Sequence, residues 1–288
     1  MPKLNVHQVN NLTDFTRVIE QLATASKAAH PAAPFLNNWY RGVPRAKTYR
    51  LVPHLYRHPD TKKIDDSLKL EKEMRDHFSR HSVLHEFGKI GGLTKAAYEL
   101  AFYMQHYGVP TRLLDWTYNP YIALFFALSD ANVTTSQGAA VWVLDPTLWN
   151  SVALAEADKT WGNAGPVFPS LKIVESYFPD WDQSELNPAD VAHKMYDLPI
   201  AVLGASSSAR IFAQKGAFTC FGKKMAPMEK VYETTGFPDG ALTQVLVPAN
   251  KITPMLEMLL SIGYTDSVSY PDVHGLVLEI KRLNGFRT

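Results

Sequence analysis

The segment NPYIALFFALSDA, residues 119–131, constrains this chain more than any other stretch. It opens with an asparagine suited to a helix N-cap and a proline suited to the first helical turn. From Tyr121 to Leu128 it is apolar nearly all round, so no face of the helix is built for water. It is therefore expected to be buried in the core. The residues just ahead of it, TRLLDWT, are polar where a core approach should be apolar. Arg112, Asp115, Trp116 and Thr117 stand at the mouth of a buried helix, and their presence there needs a reason.

The chain has 288 residues, enough for a sizeable core and close to the length at which one core stops growing. A hydrophobic fraction of 46% with 20% charged residues is that of an ordinary globular protein. Lys and Arg number 29 against 28 Asp and Glu, so net charge gives no pull toward nucleic acid or anionic lipid. The single cysteine, Cys220, excludes an intramolecular disulfide framework. It lies in the apolar run GAFTCFG, where a buried, inert thiol is expected. The N-terminal residues hold no apolar signal core, and no run reaches the ~18 apolar residues needed to span a bilayer. A cytoplasmic location without a membrane partner is expected.

Helical periodicity marks NLTDFTRVIEQLATASKAA, with a start signal at Thr13–Asp14 and apolar residues at 15, 18, 19 and 22. Two more helices are expected, one in DDSLKLEKEMRDHFSRHSVLHEFG, ended by Gly88, and one in LTKAAYELAFYMQHYG, ended by Gly108. Strands are expected around Trp39–Tyr40–Arg41, in TRLLDWT, GAAVWVLDP, PIAVLG, GAFTCFG and TQVLVPA. Residues 149–199 are irregular and read as an insertion or a loop covering a ligand. A short helix is expected in SSSARIFAQKG, and two more in ITPMLEMLLSIGY and HGLVLEIKRL. This uneven interleaving favours an α+β fold with a mixed or antiparallel central sheet and flanking helices over a doubly wound parallel one.

Dinucleotide-binding glycine motifs, phosphate-binding P-loops, zinc-protease HExxH and GxSxG elbows are all missing from the sequence. His77, His81 and His85 share a helix face, but a solvated basic face explains them better than a metal does. In NWYRGVPR, Arg41 presents a planar donor fork at a strand end, and Gly42 admits close backbone approach. Arg112 and Asp115 fit either an ion network with Arg41 or a ligand site. Thr117 fits either a helix cap or a hydroxyl aimed at a ligand. Arg210 and Gln214 lie one helical turn apart and can share a partner. Asp272 in YPDVHG reads as a helix cap.

Taken together, Tyr40-Arg41-Gly42, QHYGVPTRLLDWTYNPYIALFFAL, RIFAQKGAFTCFG and SYPDVHGL resemble the FRG domain, a family named for an aromatic-Arg-Gly motif. The resemblance runs in order over residues 37–283. It implies a single domain over 1–288, with an N-terminal helical part in 1–36 and a core in 37–283, in a family found in bacteria and their phages. A fainter similarity is to ADP-ribosyltransferases: an Arg on one strand, then Trp116-Thr117, then Ala123-Leu124-Phe125-Phe126-Ala127, then the block from Gln214 to Gly222. That similarity implies an ADP-ribosyltransferase-like core acting on NAD as substrate. Tyr40, Arg41, Gly42, Arg112, Trp116, Thr117 and Arg210 would bind the nucleotide. Arg41, Asp115, Thr117, Gln214 and Glu229 would carry the chemistry, without a metal. The family's acidic third motif is missing here, and the nearest acids are Glu229 and Glu233. The role so implied is a toxin or antiviral effector modifying a protein or nucleic acid. Rival readings are a non-enzymatic sensor that recognises a phage protein or small ligand, and an RNA- or DNA-acting toxin using the basic, aromatic stretch RAKTYRLVPHLYRHP.

Overall fold

The computed structural model describes residues 3–31, 38–82, 97–131, 137–155, 165–168, 172–178, 195–204, 216–270 and 272–286. Seven strands form one sheet, in chain order β1 Asn5–Gln8, β2 Trp39–Val43, β3 Leu113–Thr117, β4 Ala139–Leu144, β5 Ile200–Leu203, β6 Gly216–Cys220 and β7 Leu242–Val247. Their spatial order is β1-β7-β4-β2-β3-β6-β5. β1 runs parallel to β7, and every other neighbouring pair is antiparallel. The sheet is mixed and the fold α+β. β1 falls where only an N-terminal helix was expected. It is four residues long and mostly exposed, and its pairing comes from β7, more than two hundred residues away in sequence.

The helices are α1 Leu12–Ala29, α2 Ile64–Ser82, α3 Ala97–His106, α4 Pro120–Ser129, α5 Pro146–Ala153, α6 Lys172–Glu175, α7 Met228–Thr234, α8 Ile252–Ser261, α9 Asp266–Ser269 and α10 Val273–Leu283. Asn11, not the Thr13–Asp14 pair, caps α1, its side chain accepting the Asp14 N–H at 2.8 Å. Asn119 caps α4 as its chemistry dictates, accepting from Tyr121 and Ile122, with Pro120 in the first turn. Asp272 likewise caps α10 through Gly275 N–H at 2.9 Å. The helix expected in SSSARIFAQKG lies outside the described residues. Of the stretch 149–199, the described parts are core material rather than a loose cover: Trp149, Val167 and Tyr177 are fully buried. Asn150, also fully buried, ties α5 to the sheet edge, donating to the carbonyls of Gly165 and Ala201 and accepting Ala201 N–H at 2.8 Å.

Two apolar clusters sandwich the sheet. One gathers Trp39, Val43, Leu55, Phe102, Trp149 and Tyr232. The other gathers Tyr40, Phe15, Val245, Leu259 and the body of α4. Alternation along β2 sends Trp39 and Tyr40 to opposite clusters. Cys220 is fully buried, and that burial pushes its thiol up to about 12. The native protein is therefore expected to resist thiol reagents at pH 8 and to react with one equivalent once unfolded. Fast labelling of the folded chain would contradict the packing. No helix among the described residues is long and apolar enough to cross a membrane.

Candidate functional site

β2 pairs along its whole length with β4, and β3 along its whole length with β6. Between β2 and β3 the register holds one pair, Tyr40 with Thr117. The sheet is thus two halves, β1-β7-β4-β2 and β3-β6-β5, joined at a point and parting beyond it. Where the ladder would continue, a side chain bridges instead: Arg41 Nη1 donates to the Asp115 carbonyl at 2.6 Å. The same nitrogen lies 3.8 Å from the Asp115 carboxylate. Arg41 Nε is buried without a hydrogen-bond partner among the described residues. A buried donor left unused is costly, and a ligand oxygen would relieve it.

Along this parting runs a cavity of about 330 Å³, at the small end of the ~300–1,000 Å³ typical of small-molecule sites. Tyr40, Arg41 and Gly42 of β2 line it, with Asp115, Trp116 and Thr117 of β3 facing them. Its floor includes Phe102 and Phe218, stacked 4.8 Å apart. Phe126, Asp130, Tyr270, Tyr49, Gln105 and His106 also line it.

Asp115 is held by more than Arg41. Gln105 Nε2 donates to its carboxylate at 2.8 Å, and Gln105 Oε1 accepts from Thr111 at 2.6 Å. This relay fixes the carboxylate while leaving its side chain half open to solvent. Thr117 Oγ1 accepts Asn119 N–H at 3.1 Å, so its hydroxyl steadies the entry to α4. Trp116 is almost fully buried, its indole N–H on Thr219, and only an edge borders the cavity. Burial pushes the Tyr40 phenol up to about 12, against a hydrogen bond from Asn38 that acts the other way.

Gly42 does admit a close approach, but the approaching group is α4. A Cβ at this position would lie 1.9 Å from the Ala123 carbonyl oxygen. The glycine lets the helix sit on β2, and its backbone also borders the cavity.

Two of the expected site residues are placed elsewhere. Arg112 is 2% exposed and does not line the cavity. Rather than joining Asp115 or Arg41, it grips the Glu71 carboxylate at 2.9 Å through Nε and donates to the carbonyls of Phe221 and Tyr177. Burial alone would favour loss of its proton, but Glu71 outweighs burial and holds it charged. Its place is a buried clamp between α2 and the sheet, not a nucleotide contact. Glu229 sits on α7 and is buried away from the cavity. It accepts the Leu51 N–H at 3.2 Å and pairs with Arg50 at 2.8 Å. Arg210 and Gln214 lie outside the described residues. Of the three histidines, His77 and His81 stack 4.2 Å apart, and His85 lies outside the described residues. Among the described residues no group of three or more His, Cys, Asp or Glu could hold a metal.

Tyr49 and Asp130 are among the cavity residues that escaped the reading of the sequence. Tyr49 comes from the basic stretch after β2, where its Arg neighbours suggested nucleic acid. The Arg41 and Arg57 guanidinium groups act on its phenol electrostatically, and the Arg57 guanidinium lies 5.1 Å over its ring. Burial opposes ionisation of this phenol, but the two guanidinium groups outweigh it and hold it below the ordinary tyrosine range. Asp130 ends α4, where the helix dipole disfavours an anion. Desolvation pushes its carboxyl above the usual range, although the residue stays open to solvent on one side. No sequence pattern marks a residue just past a helix end as part of a cavity.

Residues 36–136 match the family model of the FRG domain, a span that contains β2, β3 and α4 and therefore both sides of the parting. No curated protein and no solved structure matches the chain.

Proposed function

Because the chain carries an FRG domain over residues 36–136, with its two central strands parting at Arg41, we propose that this parting binds NAD or a related nucleotide. The protein is then an ADP-ribosyltransferase-like effector, its acceptor a macromolecule or water, in the bacterial toxin or antiviral setting that the resemblance implies. The observation that carries the reading is the cleft itself. It opens a sheet between two strands, and its wall combines a guanidinium with an unused donor, two carboxylates and a set of rings.

The residues fit such a guest by their chemistry. Arg41 offers Nε to a phosphate or ribose oxygen while Nη1 holds the strands together. Phe126, Tyr49 and Tyr270 are only partly covered and offer faces to a flat heterocycle. The cavity suits a nucleoside better than a whole dinucleotide, so the remainder would extend across its open side. Bound there, the nucleotide supplies an N-glycosidic bond that breaks with its electron pair passing to the nicotinamide nitrogen. The freed C1′ bonds to an acceptor oxygen, whose proton is released. Asp115, fixed by Gln105, and Asp130 place negative charge where that carbon becomes cationic.

The test is nicotinamide release from NAD by wild type and Arg41→Ala, with urea midpoints to show that both fold. Wild type is expected to release nicotinamide well above background, and the variant to lose on the order of 10²–10³-fold. Background rates in both would contradict the proposal.

A further inference from the structure

We propose that Tyr49 is the base of this site, taking the proton of the attacking oxygen as its bond to C1′ forms; this rests on the nucleotide reading above. The step balances. The acceptor O–H loses its proton to Tyr49 Oη, its oxygen joins C1′, the departing pair resides on nicotinamide, and the proton then passes to solvent at the open side.

Tyr49 and Arg41 both line the cavity. Past β2 the chain folds back in a turn that joins Tyr49 N–H to the Arg45 carbonyl at 3.0 Å. The ring then forms part of the cavity wall on the Arg41 side. Arg41 approaches from β2, and Arg57 from the short 3-10 turn Leu55–Arg57. The other titratable groups around the cavity are Asp115 on β3, His106 at the end of α3, Asp130 after α4, and the phenols of Tyr40 and Tyr270. The charges acting on Tyr49 are the two arginines. Two cations on one phenol favour its phenolate, which is the form that accepts a proton.

The contrast with other tyrosines shows that this is no general property of buried rings here. Burial pushes Tyr40 and Tyr118 up to about 12 each and raises Tyr56 further, whereas Tyr49 moves down, alone among the tyrosines with a resolved shift in the described residues. A base works best with its pKa near working pH, and lowering a phenol moves it in that direction. Asp115 and Asp130 are placed to steady the cationic carbon, so proton transfer and charge stabilisation fall to different groups.

Tyr49→Phe keeps the ring and removes the oxygen, and two measurements on it decide the matter. In near-ultraviolet titration, wild type is expected to show a phenolate forming below the ordinary value of about 10, absent from the variant. With NAD, the variant is expected to release nicotinamide on the order of 10²–10⁴-fold more slowly, with NAD affinity within about twofold and the acid limb of the rate profile lost. If wild type releases nicotinamide and the variant keeps its rate within about threefold, Tyr49 is not the base and the nucleotide reading stands. The same holds if the early phenolate disappears without any change in rate, which would leave Tyr49 as a support for the two arginines. If wild type releases none, both the nucleotide reading and the base are overturned.

Discussion

Replacing Gly42 by alanine is expected to leave no stably folded protein. The added carbon would lie 1.9 Å from the Ala123 carbonyl oxygen and 2.7 Å from the Ala127 nitrogen. Both obstacles are helix backbone, locked in the ladder of α4, so no side chain can rotate out of the way. Making room means lifting α4 off β2 and unseating Ile122, Leu124, Phe125 and Leu128, all buried. Overpacking an ordinary core site costs about 1–3 kcal/mol. A clash with fixed backbone belongs above that range, at more than ~3 kcal/mol. Urea unfolding of Gly42→Ala against Gly236→Ala checks it, because Gly236 has nothing within 4 Å of its added carbon. A Gly42 variant as stable as the Gly236 one would mean that α4 does not rest on the strand. Neighbouring residues of one motif thus have separate duties. Gly42 seats the helix, and Arg41 faces the cavity.

The second large effect belongs to Arg112. Arg112→Met is expected to cost about 3–5 kcal/mol, because it leaves the Glu71 carboxylate buried beside methionine. It also frees the carbonyls of Phe221 and Tyr177 from their donor. The pair Arg112→Met with Glu71→Leu is expected to recover much of the loss, since no lone charge then remains inside. Urea midpoints of the two single variants and the double variant give the answer. A loss under ~1 kcal/mol for Arg112→Met would show the pair to be hydrated rather than clamped.

What could be read from the sequence was what is decided locally. The α4 start was legible because a cap and a first-turn proline act on the next few residues, and the Asp272 cap for the same reason. The apolar character of α4 announced its burial. Choosing between Arg41 and Arg112 was a different matter. Both follow loops, both precede apolar residues, and both looked ready to hold a ligand. What separates them is Glu71, 41 positions from Arg112 and brought beside it only by the packing of α2. Glu229 was misjudged through its helix, seven residues long and without a side-chain cap, which leaves no local signature. Tyr49 was hidden in a basic stretch, one of whose arginines, Arg57, lies over its ring. The parting of β2 and β3 was invisible, because two complete strands differ from two paired strands only in register.

The proposed function needs a nucleotide lodged where those strands part, and crystals of the protein grown with NAD test that most directly. The predicted result is a nicotinamide riboside between Arg41 and Asp115, one of the ligand's oxygens accepting from Arg41 Nε. A cleft holding only solvent at saturating NAD, or NAD bound on another face of the sheet, would contradict it.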